Sequence, residues 1–140
     1  MAMTERRPIA IRILLALLLF QGFSGVAGGW GLTSDPTGSA IGLELEWLEG
    51  SPFADYLIPG IILLVVLGIG PLIVVIGIFR RLRWAWMASL LVGLALIIWI
   101  IVEVFIVGYI SQPPLQLVYG LVGLGIVVTT LLPSVRRQLR

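Results

Sequence analysis

Glu103 is the residue best placed to do chemistry. It is the one acid inside a long apolar run, and it lies six residues before Tyr109. At 1.5 Å per helical residue, that puts it about 9 Å below the surface where the run ends. A bare carboxylate is costly at such depth in hydrocarbon, so the side chain must face a packed interior or a wet cavity. Polar residues fall at matching depth in other apolar segments: Gln21 and Ser24 in the first, Gln116 and Tyr119 in the last. Trp99 and Ser89 share the helical face of Glu103 itself. The candidate site is therefore Glu103 with Gln21, Ser24, Trp99, Gln116 and Tyr119. Two chemistries fit that set. One is a proton- or cation-binding site. The other is a neutral carboxyl, bonded to Gln or Tyr, that glues helices together.

Other chemistries lack their residues. The chain has no Cys and no His, which removes thiol chemistry, disulfides, thiolate metal sites and imidazole acid–base pairs. Asp35, Glu44, Glu46, Glu49 and Asp55 share one segment, but their spacing matches no calcium loop. A Ser or carboxylate nucleophile needs a base beside it, and no pair of carboxylates stands within one span. Gly120, Gly123 and Gly125 form no dinucleotide fingerprint, because no strand–helix unit surrounds them. The reading is non-enzymatic, with no metal and no cofactor.

The elements that carry these residues follow from composition. Of 140 residues, 59% are hydrophobic and 11% charged, and mean hydropathy is +1.13. Soluble domains are about a quarter charged, so this is an integral membrane protein. A helix crosses the hydrocarbon core with about 20 apolar residues. Four segments qualify: 9–29, 57–79, 84–109 and 115–132. The fold class is all-α, a four-transmembrane-helix bundle in a single domain, with a structured outer loop over 30–56.

Charge sets the orientation. All nine basic residues are Arg: 6, 7 and 12; 80, 81 and 83; 136, 137 and 140. With four spans every cluster falls on one side, and Arg-rich short loops stay in the cytoplasm. Both termini are thus cytoplasmic and the protein is multi-pass in the cell membrane. The arginines suit anionic lipid head groups and need no nucleic acid. A signal-peptide reading competes for the first segment, since Arg6 and Arg7 precede Ile13–Phe20 and Gly25-Val26-Ala27 resembles a cleavage site. The apolar run continues to Trp30, however, and cleavage would part the remaining Arg clusters, so the segment reads as a retained helix.

Local signals refine the elements. Gly22, Gly25, Gly28 and Gly29 form a close-packing face. Such seams also permit a homo-oligomer or a larger membrane complex. Asp35-Pro36-Thr37-Gly38 has the residues of a type I turn. Residues 41–49 alternate like a strand, or form a short interfacial helix stopped by Gly50; the helix is preferred. Ser51-Pro52 suits a helix start. Pro59 and Pro71 should kink the second helix, and Pro71 deprives the Leu67 carbonyl of its usual donor. In lipid that carbonyl must find a partner within the protein.

The element Ser51-Pro52-Phe53-Ala54-Asp55-Tyr56-Leu57-Ile58-Pro59-Gly60 follows the pattern SPF-x-DYL-x-PG. Trp99–Val104 follows W-I-x-V-[EQ]-V, and Gln116–Gly120 follows Q-x-x-Y-G. With these motifs the chain resembles an uncharacterised family of small bacterial four-helix integral membrane proteins, over about residues 20 to 125. The resemblance implies a fold and no activity. Its Glu-or-Gln alternation at position 103 speaks against an obligatory proton carrier. Small multidrug transporters and claudins are dissimilar in the position of their Glu and in their disulfide-bearing loop, respectively.

Overall fold

Pro8 opens the first helix, its carbonyl accepting the N–H groups of Ile11 and Arg12. A computed structural model describes residues 7–108 and 115–139; the expected span end at Tyr109, and Arg6 and Arg140, lie outside them. Helix α1 is Ile9–Ser34, one turn and more beyond the expected end. Thr33 and Ser34 extend it by donating their hydroxyls to the carbonyls of Gly29 and Trp30, so neither polar side chain opposes the helix. The chain then turns at Asp35, with Gly38 N–H donating to the Asp35 carbonyl at 3.0 Å.

The loop that follows contains neither a strand nor a continuous helix over 41–49. It makes two single 3₁₀ turns, Ser39–Ile41 and Leu45–Leu48. Gly42 and Gly50 both have φ near +80°, a left-handed conformation that reverses the chain and breaks either periodicity. Ser51 does not cap the next helix. Its hydroxyl donates to the Leu48 carbonyl, and the Asp55 carboxylate accepts the N–H of Leu57 instead.

Helix α2 is Leu57–Phe79. Pro59 falls in its first turn, where a missing N–H costs nothing. The irregularity is a π-helical turn at Val65–Ile69, immediately before Gly70-Pro71. Helix α3 is Trp84–Val107 and α4 is Leu115–Leu131. Pro133 opens α5, Pro133–Leu139, which leaves α4 at a bend of 70°. Helices α1, α2 and α3 are each long and apolar enough to cross a membrane, and α4 with α5 is a bent pair that passes the same test together.

Packing follows the small residues. Gly22, Gly25 and Gly29 of α1 lie against Leu72, the Leu67–Gly68 backbone and Leu64 of α2. The tripeptide Gly25-Val26-Ala27 is therefore mid-helix, with Gly25 buried, Val26 half-buried and Ala27 exposed. Gly93 and Gly123 bring α3 and α4 together in the same way. Each helix from α1 to α4 packs on its neighbour in sequence, and α4 packs back on α1. The inner half is filled by Leu14, Leu18, Ile78, Leu96 and Ile126, all fully buried, with the Trp86 indole N–H donating to the Thr130 carbonyl at 2.8 Å.

Candidate functional site

The outer half is packed differently. The first two turns of α2, Leu57–Leu64, pack on α1 but not closely on α3, whereas the inner stretch of α2 packs on both. The π turn lies at the point where the helices part. The gap between them is a cavity of about 640 Å³. All six candidate residues line it: Glu103 and Trp99 from α3, Gln21 and Ser24 from α1, Gln116 and Tyr119 from α4. Pro59 lines it too, while Ser89 lies in the inner half, buried, with its hydroxyl donating to the Ala85 carbonyl. Pro71 is buried beneath, in α2.

The six are brought together without being bonded together. Glu103 makes no hydrogen bond and no ion pair among the described residues. Neither do the polar groups of Ser24, Trp99 and Tyr119; the Tyr119 ring stacks on Phe20 at 5.6 Å. Gln116 donates from Nε2 to the Gly108 carbonyl at 2.9 Å. Gln21 is 1% exposed, and its Nε2 donates to the Leu67 carbonyl at 3.0 Å. That is the carbonyl that Pro71, lacking an N–H, leaves without its α-helical donor. Gln21 thus answers the demand of the second helix, and its Oε1 stays buried with no partner.

A roof of loop residues closes the outer end. Trp47, Phe53 and Tyr56 line the cavity from above, and Leu48 and Tyr56 form a small core with Leu32. Tyr56 is the pin: its N–H donates to the Pro36 carbonyl at 2.9 Å and its hydroxyl to the Glu44 carbonyl at 2.7 Å. Burial, and then the nearby carboxylates of Glu103 and Glu44, push the Tyr56 phenol up from its ordinary value. These aromatics were not picked out from the sequence, although the SPF-x-DYL element that carries two of them was.

Asp35 anchors the start of the roof. Its carboxylate accepts the hydroxyls of Thr37 at 2.6 Å and Ser39 at 2.7 Å, and the N–H of Ala40 at 3.1 Å. The Thr37 hydroxyl, then that of Ser39, holds the carboxyl below its ordinary value. A depressed value stabilises the turn above the ordinary carboxylate range and ceases to do so as pH falls through it. The protection of Thr37–Leu43 against hydrogen exchange, taken relative to the intrinsic rate at each pH, should therefore fall on acidification below that range, and Asp35→Ala should show the low protection already at neutral pH. Protection that ignores both changes would show that the carboxylate does not hold the loop.

Among the described residues no group of three or more acids could hold a metal. The arrangement offers an apolar, aromatic-roofed space with one carboxyl and a few uncommitted polar atoms. Below it Leu14, Leu18, Ile78 and Ile126 are fully buried. No protein-family model matches the chain, and neither does any curated protein or solved structure.

Proposed function

We propose that this is a four-span protein of the cell membrane, with both termini cytoplasmic, which works without catalysis as an interaction or accessory protein. Its outer half receives a small, largely apolar guest. The fourth span would be α4, with α5 turned along the inner surface: Val135 and Leu139 are buried while Arg136 and Arg137 are exposed, as suits a helix lying on anionic lipid. The reading is compatible with the small four-helix membrane family that the SPF-x-DYL-x-PG motif resembles. A single observation carries it: the space lined by Glu103 lies in the outer half and stops at a packed inner half. That is the form of a receptacle, not of a conduit. The glycine seams are taken up inside the chain, so an accessory role in a larger complex would rest on the lipid-facing side chains instead.

Absence of native Cys makes the test clean. Single cysteines at Ser24, Ser89, Ser39 and Ser134 sample the cavity, the inner core, the outer loop and the inner surface. In intact cells a small membrane-impermeant thiol reagent should label Ser39→Cys and leave Ser134→Cys untouched. A small permeant reagent should modify Ser24→Cys and spare Ser89→Cys. Labelling of Ser134→Cys from outside would overturn the topology. Modification of Ser89→Cys would overturn the closed core and favour the second reading, a small transporter or proton- or cation-coupled permeation protein using Glu103. That reading draws on the placement of Glu103 on the cavity.

A further inference from the structure

The cavity walls define the chemistry of the guest. Their volume, about 640 Å³, falls within the range of about 300–1,000 Å³ of small-molecule sites. Five aromatic side chains line it: Trp47, Phe53, Tyr56, Trp99 and Tyr119. The one residue there that can carry charge near neutral pH is Glu103, and no Arg reaches the lining. A carboxylate in an apolar space needs a counter-charge, and among the described residues none is supplied. Gln21, on the α1 wall, carries a buried Oε1 that has no hydrogen-bond partner. An anionic guest would be repelled. A neutral one would leave the carboxyl as it found it. A cation with an apolar body neutralises Glu103 and covers the apolar lining, and the aromatic faces attract it further.

We infer that the outer cavity is a binding site for a lipophilic organic cation, held by the Glu103 carboxylate between aromatic walls. This rests on the receptacle reading above, and the experiment separates the two. The purified full chain in detergent is dialysed against three probes of one shape: tetraphenylphosphonium, neutral tetraphenylsilane and tetraphenylborate. Tetraphenylphosphonium should bind at one per chain and at least tenfold more tightly than either of the others. Glu103→Gln should remove that preference with the thermal midpoint kept, and Glu103→Asp, which retains the charge, should preserve most of it. Equal binding of all three probes, or full cation binding by Glu103→Gln, would overturn the cation site and leave the receptacle standing. Failure of every probe to bind, together with an unreactive Ser24→Cys, would overturn both.

Discussion

Gly25→Leu prevents the first two helices from closing, and the folded protein is lost from thermal or SDS unfolding in detergent. A Cβ at this position would run into the carbonyl of Leu67, and it would stand 2.8 Å from the Gly68 Cα. These are backbone atoms, so no rotamer change relieves the overlap. Overpacking against movable side chains costs about 1–3 kcal/mol; here the loss should exceed about 3 kcal/mol, since α1 and α2 must separate along their whole seam. Gly120→Ala is the control. Its added methyl meets only the Ile100 Cγ2 at 3.8 Å, an ordinary contact, and stability should stay within about 0.5 kcal/mol of the parent. Equal behaviour of the two variants would mean that the α1–α2 seam is not tight.

Gln21→Leu is the second large effect. The substitution is close in size and removes the N–H that the Leu67 carbonyl accepts, together with the unpartnered Oε1. Leaving a buried acceptor unpaired costs about 1–3 kcal/mol. The source of the demand can be removed separately. Pro71→Ala restores a backbone N–H four residues after Leu67, so the cost of Gln21→Leu should shrink by about 1 kcal/mol or more in that background. Strict additivity of the two changes would show that Gln21 does not act through the Leu67 carbonyl.

That pairing shows how far sequence reasoning carries here. Pro71 alone says that the Leu67 carbonyl needs a donor, and Gln21 stands out as polar in an apolar segment. What joins them is the register between α1 and α2, which depends on three glycines meeting Leu72, Leu67–Gly68 and Leu64. Hydropathy carries no information on that register. The helices themselves were legible because 20-residue apolar runs have few alternatives in lipid. The loop was not: Ile41, Leu43, Leu45 and Trp47 alternate like a strand, but the left-handed glycines at 42 and 50 turn the chain before a partner strand can form. Ser51-Pro52 carries a helix-start signal that Asp55 takes over four residues later. Counting residues from the ends of the runs was enough to bring six polar groups to one cavity. It was not enough to show that α2 leans away from α3 there, because the π turn at Val65–Ile69 has no signature beyond its neighbouring Gly68, Gly70 and Pro71.

The closing contact of α4 on α1 has a consequence for biosynthesis. Helix α1 leaves the ribosome well before α4, yet its Leu17 lies against Gly125 of α4, more than a hundred residues later. Helices α1 and α2 can pair as soon as both are made, and α3 can then join α2, but the contact that closes the bundle waits for α4. Through that interval Gln21 is already committed to Leu67, while Glu103 still lacks the α4 wall that Gln116 and Tyr119 later supply. A nascent chain stalled before α4 is thus a half-built product with an open flank. The membrane's quality-control proteases would meet it as a substrate, and the chain would escape them only once α1 and α4 have touched.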